Sequence, residues 1–447
     1  MKSIIPFVVR IIASFLAVIS NYILAKHLGI AVFGIYSGML SVVFIINLIT
    51  DWGFNSYGSQ MLAQQQDSSA KSMFVTNALS FKFTLSISFS IFYVVFCLIR
   101  FGDNWYYLLG TPLILFSFLN PEWICRGILK PQMASYRQLM FAALNILFFA
   151  AASFLHLPKL IIFVLYSFNT ISSFAIILFF IKKHLPFTLN AKKNIHISRK
   201  DMLKSTSMYF YGYLVNNVNY TAGIIVLTIF SIPESVGQYS SYYNIFSTVV
   251  SPIVIVYSLF APKRIELSNA QFFNGYYKTL INVLAIGVIF YINGAVLYKF
   301  FYPKNFIFNY NINALAGGVF VMYCLENMFA VNAIFSNEPK IYFRINVLGL
   351  VANTLCFGYL ITTKQLSAQS GFASLLISQI VMFCASLYNY KNLLKYLLNK
   401  EVLTVALLIL TLVAVLFIGI AILVYILSGI ILIALSLRTF FLIKNLY

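Results

Sequence analysis

Acidic residues are nearly absent from this sequence: Asp and Glu together number 10 in 447 residues, and all charged residues make up only 9%. A water-soluble surface carries about 25% charged residues, so the chain cannot present one over most of its length. Histidine is also scarce. His27, His156, His184 and His196 fall at the ends of apolar segments or between them and never pair at a metal-ligand spacing. The five cysteines, Cys97, Cys125, Cys324, Cys356 and Cys384, are scattered through apolar segments without redox or metal spacing, which reads as inert buried thiols. A Walker loop, a glycine-rich dinucleotide fingerprint and a nucleophile elbow are all missing. These absences argue against ATP coupling and covalent catalysis, so the expectation is a non-enzyme with no cofactor.

Apolar residues are what the chain has in excess, at 61%. They gather into fourteen segments near 4–25, 33–53, 75–99, 105–125, 138–156, 160–181, 206–230, 240–260, 280–301, 311–335, 344–363, 370–390, 402–420 and 422–443. Each has the roughly 17–25 residues a helix needs to cross ~30 Å of hydrocarbon. The net charge of +20 would point to nucleic acid in a soluble domain, but here the basic residues sort into alternate gaps. With a cytoplasmic N-terminus, 22 of the 30 Lys and Arg lie on the cytoplasmic side, six (Lys26, Arg100, Lys159, Lys299, Lys304, Lys364) opposite, and Arg10 and Lys82 inside spans. Excess Lys and Arg in short loops marks the cytoplasmic face, so both termini are expected there. The basic stretch from Lys182 to Lys204 is a solvated topogenic loop, with contact to anionic head groups as the alternative. The N-terminal segment is basic then apolar without a small-residue cleavage site, which reads as a retained first span.

The expected fold is therefore an all-α polytopic membrane protein: two six-helix lobes, 1–195 and 196–390, around a central cavity, plus a transmembrane hairpin at 391–447. An internal echo supports the two lobes. Leu24, Gly34, Tyr36 and Ser37 recur as Leu227, Gly237, Tyr239 and Ser240 at a constant offset of 203, and Pro131 and Arg137 recur as Pro339 and Arg344. Six spans is an even number, so the copies enter the membrane from the same side and form a parallel repeat.

Charge within the spans marks candidate function. Insertion of Arg or Lys at mid-span costs about 2.5–3.5 kcal/mol, so such residues face water or a partner. Arg10 and Lys82 lie about two turns into the first and third spans, and Glu326 lies near the middle of the tenth. Snorkelling to the interface is the alternative for the two cations; Glu326 is too short for it, so it faces the cavity or is protonated. Arg10, Ser14 and Asn21 share one helix face, Lys82, Ser86, Ser90 and Tyr93 another, and Tyr209, Tyr213, Asn216 and Tyr220 a third with Asn219 adjoining. Helix–helix hydrogen bonding is the bland reading of such polar positions; a polar lumen is the other. Tyrosines and amides suit sugars, and two cations suit a phosphate. At the cytoplasmic ends of the second and fourth spans, Asp51 and Glu122 stand beside Trp52 and Trp123, aromatic residues suited to the interface. Arg126 follows Glu122 at the i+4 spacing of an ion pair. A structural or gating role is expected for Asp51, Glu122, Trp123 and Arg126, and ion coupling for Glu326, the one carboxylate placed near the bilayer centre.

"AKHLGIAVFGIYS" after the first span resembles the opening signature of the Wzx-type polysaccharide flippases, and "LNPEWICRGILKP" at 119–131 is similar to that family's element at the end of the fourth helix. "DWGFNSYGSQMLAQ" and "ESVGQYSSYYNIFSTVVSPIV" fall where comparable segments belong, so the resemblance covers about residues 1–390. Lys26–His27 departs from the Arg more usual there. The resemblance implies membership of the multidrug/oligosaccharidyl-lipid/polysaccharide exporter superfamily and alternating access. It implies as substrate an oligosaccharide repeat unit on undecaprenyl diphosphate, turned from the cytoplasmic to the periplasmic leaflet of a bacterial inner membrane for O-antigen, capsule or exopolysaccharide. The partners expected are that substrate, membrane lipids, a proton or sodium as coupling ion, and other polysaccharide-assembly proteins; nucleic acid is not among them. The rivals are a drug–cation antiporter of the same superfamily, which wants a more acidic lumen, and a membrane glycosyltransferase or polymerase, which wants a sizeable outward loop.

Overall fold

The computed structural model describes residues 5–65, 67–102, 104–128, 130–183, 199–263, 269–335, 339–390 and Leu435. The expected hairpin at 402–443 lies, apart from Leu435, outside them. The described residues contain helices and no strand, and ten helical segments are long and apolar enough to cross a membrane. The chain is an all-α polytopic membrane protein. In order come α1 (Ile5–Asp51), α2 (Ser59–Gln64), α3 (Ser68–Phe101), α4 (Thr111–Leu115), α5 (Glu122–Gly127), α6 (Pro131–Phe154), α7 (Lys159–Lys182) and α8 (Arg199–Phe230). They are followed by α9 (Pro233–Lys263), α10 (Asn269–Ile292), α11 (Gly294–Phe301), α12 (Tyr310–Phe335), α13 (Pro339–Thr362) and α14 (Ala368–Asn389). The first twelve expected spans all fall on these elements, the first two sharing α1 and the eighth lying in α9.

The first two spans are joined by a kink rather than a loop. Within α1 only Gly29 leaves helical geometry, at φ 73° and ψ 169°, a region open to glycine because it has no Cβ. Next to it, His27 Nε2 contacts the Leu157 carbonyl at 3.1 Å and fastens the kink to the connection between α6 and α7.

The fourth span departs from the single helix expected at 105–125. It is a 3₁₀ turn (Trp105–Gly110), α4, a second 3₁₀ turn (Ser117–Leu119) and α5. Pro112 and Pro121 lack the amide a continuous helix needs, and Asn120, just before Pro121, leaves helical geometry at φ −57° and ψ 112°. Broken helix inside a membrane is tolerated only where protein satisfies the freed backbone groups. Here Tyr93 donates its hydroxyl to the Tyr107 carbonyl at 2.6 Å, and Thr111 donates to Leu108 at 2.7 Å. The hydroxyls of Thr50, Ser117 and Ser86 link at 3.0 and 2.9 Å. The polar stripe of α3 is thus its buried face: Lys82, Ser86, Ser90 and Tyr93 are all shielded, while Phe83, Ile87 and Ile91 on the other side are exposed.

Packing divides the described residues into two compact units, one from Ile5 to Gly237 and one from Gln238 onward. The second copy of the sequence repeat begins near residue 196, so its first helix, α8, packs within the first unit. One layer of that unit's core gathers Phe54, Leu62, Phe74, Leu79, Trp123, Ile124 and Ile181. Trp123 is 0% exposed and lies 5.5 Å from the Phe54 ring and 6.1 Å from Phe74. The Trp123 indole therefore faces protein rather than lipid, packed beneath the Phe54 turn and α3. In the second unit, α14 is tied to α13 by Ser378 donating to the Gly349 carbonyl at 2.8 Å and Ser374 donating to Asn353 Oδ1 at 2.5 Å. The expected ninth span breaks between α10 and α11, where Asn313 Nδ2 donates to the Tyr291 carbonyl at 2.9 Å.

The repeat reappears as a contact. A Cβ on Gly34 would collide with the Pro233 carbonyl and lie 2.8 Å from the Gly237 nitrogen, and a Cβ on Gly237 would collide with the Ile30 carbonyl. Ile30 and Pro233, like Gly34 and Gly237, differ by 203 residues. The two copies of the motif therefore cross reciprocally, each glycine lying over the residue four before the other glycine. Glycine at the crossing point lets helix backbones approach this closely in a membrane.

Candidate functional site

The densest polar structure in the first unit forms where α1 ends. Lys82 Nζ donates to Asp51 Oδ1 at 2.8 Å, with side chains 1% and 8% exposed. Asp51 Oδ2 accepts the Asn55 amide at 2.9 Å, so each carboxylate oxygen has a partner. Directly after Asp51 the backbone turns through two left-handed residues, Trp52 at φ 47° and Gly53 at φ 79°, into the π-helical turn Phe54–Gly58. A bulky residue at positive φ is a genuine outlier and persists only when its surroundings over-determine it. Two do: the Asp51–Lys82 pair on one side, and the Trp52 ring stacked on Phe210 of α8 at 4.5 Å and 17° on the other.

A second ion cluster joins this turn. Glu122 pairs with Arg137, accepts Gln138 Nε2 at 3.4 Å, and lies 3.5 Å from Arg126. Arg126 in turn donates to the Asn55 carbonyl at 3.2 Å. Asn55 thus bridges the two clusters, its amide on Asp51 and its carbonyl on Arg126. The i+4 spacing correctly places Arg126 beside Glu122, but the shielded partner is Arg137, 11% exposed against 43% for Arg126. Its guanidinium also lies 5.1 Å from the Phe174 ring. Arg137 had one signal in the sequence, its recurrence in the repeat as Arg344.

The charges balance unevenly. Asp51 is matched by one lysine, while Glu122 is matched by two arginines, so these two clusters carry a net positive charge. The other candidates spread along α1 and α8. Ser14, Asn21 and Asn216 are half-buried and Tyr213 is exposed, while Asn219 and Tyr220 are buried against neighbours. The side chains of Arg10 and Tyr209 lie outside the described residues. In the second unit, Glu326 is 3% exposed on α12. Its Oε2 accepts Asn327 Nδ2 at 3.3 Å, and no described Lys, Arg or His pairs with it.

Solved structures share this fold. The lipid II flippase MurJ in its inward closed conformation superposes with a TM-score of 0.73 at 13% identity, covering 97% of this chain and 98% of that one. An inward-facing MATE-family multidrug resistance transporter of the MOP superfamily gives 0.60 at 12% identity, covering 87% and 96%. A MOP superfamily transporter from Pyrococcus furiosus, described as having a binding pocket of reverse polarity, gives 0.59 at 12% identity, covering 88% and 94%. No curated protein matches the sequence. The family model described as polysaccharide biosynthesis protein matches residues 2–262, more than half of the chain, and the chain belongs to that family.

Proposed function

We propose that this protein is a flippase that moves oligosaccharide repeat units on undecaprenyl diphosphate from the cytoplasmic to the periplasmic leaflet of a bacterial inner membrane. The movement proceeds by ion-coupled alternating access and serves O-antigen or another surface polysaccharide. The observation that carries the reading is the charge pattern in a chain of the polysaccharide biosynthesis family. Asp51 is neutralised by Lys82 and Glu122 is outnumbered by Arg126 and Arg137, so acids do not dominate the first unit, and Arg10 adds a cation within the first span. That pattern suits an anionic head group and disfavours a drug–cation antiporter. The shared fold with a lipid II flippase supports a lipid-linked substrate.

Within this reading Arg10 holds the diphosphate, because a guanidinium fork matches phosphate oxygens in pairs. Lys82, already committed to Asp51, holds the end of α1 in place. Ser14, Asn21, Tyr213 and Asn216 meet the sugars: rings pack on the apolar face of a pyranose while amides and hydroxyls reach its hydroxyl groups. Glu326 is the coupling residue. A buried carboxylate without a counter-charge is costly, and binding a proton or cation removes that cost. Moving one charge across the field contributes about 2.3 kcal/mol per 100 mV, which biases a two-state cycle by more than tenfold.

Deleting the gene tests the function. Lipid-linked repeat units should accumulate on the cytoplasmic leaflet, and the purified protein in vesicles should turn them over while failing to export a cationic dye. Dye export without lipid turnover would establish the antiporter instead.

A further inference from the structure

We infer that the reciprocal crossing of Ile30–Gly34 with Pro233–Gly237 is a latch that closes the outer end of the first unit and parts once in each transport cycle. The inference rests on the alternating-access reading above and on the orientation set by the basic residues, which places the α1 kink and the α8–α9 connection outside.

Three observations meet at this crossing. It is a contact of backbone with backbone: the carbonyls of Pro233 and Ile30 occupy the space a side chain would need at Gly34 and Gly237. One turn further in, Gly38 lies against Thr228, whose Oγ1 is 2.5 Å from where a Cβ would stand. At the same end, Arg100 of α3 donates to the Ile229 carbonyl and lies 5.9 Å from the Phe230 ring, gripping the last turn of α8. Among the described residues the closure uses no ion pair, and its closest contacts are glycine against backbone carbonyl. Close contacts of Cα–H with carbonyl oxygen are individually weak, so such a surface can separate and re-form without leaving a charge unpaired in the membrane. The inner contact of α1, made with α8, is different in kind, with Trp52 stacked on Phe210 beside a buried ion pair.

The reciprocity also explains why the motif occurs twice. A latch that must fit itself across a local two-fold is built most simply from two copies of one element, and Gly34 and Gly237 stand at equivalent places in those copies. On this account the recurring glycines are needed for closure rather than for turning the chain.

A disulfide across Gly38 and Thr228 tests the latch. In Gly38→Cys/Thr228→Cys the two Cβ atoms would stand 3.2 Å apart, within a few tenths of the usual ~3.5–4.5 Å, and the five native cysteines would be replaced by alanine. Reconstituted with a fluorescent oligosaccharide on undecaprenyl diphosphate, the oxidised protein should stop flipping and regain its rate on reduction. Equal rates before and after reduction would show a permanent crossing and overturn the latch. A second measurement needs no transported substrate. Thr228→Cys is buried at the crossing, and adding Gly34→Ala should raise its labelling by an external, membrane-impermeant maleimide roughly tenfold, because an overpacked contact shifts a two-state equilibrium by about that much. If the reduced double variant flips nothing, the substrate reading fails while increased labelling still upholds the latch; unchanged labelling overturns it.

Discussion

Removing the ammonium of Lys82 should damage this protein more than removing the whole ion pair. In Lys82→Met the Asp51 carboxylate stays where it is, 8% exposed, with its Asn55 contact but without its counter-charge. Breaking one side of a buried pair costs about 3–5 kcal/mol, whereas replacing both partners by apolar residues of similar size is often neutral or even stabilising by about 1–4 kcal/mol. Lys82→Met and Asp51→Leu should each therefore lower stability by about 3 kcal/mol or more, and the double variant by much less. The coupling in the cycle should be about 3 kcal/mol or larger. Denaturant titration in a mild detergent, read through tryptophan fluorescence, supplies the four energies, and Trp52, adjacent to the pair, is a local reporter. Additive single effects, or a Lys82→Met variant within about 1 kcal/mol of wild type, would refute the argument that the pair is closed and buried. Transport then separates two roles. If Lys82 only anchors α1, the stable double variant keeps flipping; a stable but inactive double variant would assign the ammonium to the substrate's diphosphate.

Three further outcomes are expected. Arg10→Ala should reduce surface polysaccharide without lowering the amount of protein in the membrane, and Arg10→Lys should be milder because the charge survives while the planar fork is lost; immunoblots beside polysaccharide gels check both. Arg137→Ala should destabilise by about 2–4 kcal/mol and Arg126→Ala by no more than about 1 kcal/mol, because the first pair is shielded while the second is open to solvent screening, measured by the same denaturant titration. Glu326→Gln should leave binding of the lipid-linked oligosaccharide intact and abolish acceleration of flipping by an imposed ion gradient; an unchanged response to the gradient would remove Glu326 from the coupling.

Span positions and overall class were legible in the sequence because both follow from composition over some twenty residues: apolar length sets a crossing, and charge between crossings sets a side. What was not legible was which partner each polar residue would find. The stripe Lys82–Ser86–Ser90–Tyr93 is correct as a helix face, yet a periodicity of 3.6 cannot say what that face meets. Its surroundings were decided by Pro112 and Pro121 in the neighbouring broken span, where Tyr93 takes up the Tyr107 carbonyl and Ser86 meets the Ser117 hydroxyl. Trp123 shows the same limit from the apolar side. A tryptophan near the end of a span reads as an interface anchor, and only the packing of Phe54 and Phe74 reveals that a turn and two helices fold over it.

The Gly34–Gly237 crossing lies between these cases. The recurrence at a constant offset of 203 was visible as a repeat in the sequence, but a repeat fixes equivalence, not contact. Two equivalent residues can meet only near a local symmetry axis, and then each must meet the other's environment. That is the pattern of Ile30 with Gly237 and Pro233 with Gly34. Glycine at both places is what backbone contact on such an axis demands, because any Cβ would be counted twice: an alanine at either position collides with a carbonyl that no rotamer change can move. The same reasoning separates the outer crossing of α1 with α8 and α9 from the inner contact of α1 with α8. At that offset Phe210 corresponds to Phe7 but Trp52 to Ile255, so the repeat does not supply a second tryptophan stack and this contact can differ in strength from the outer crossing. Helices closed by unlike contacts on the two sides can release one while holding the other, which alternating access requires.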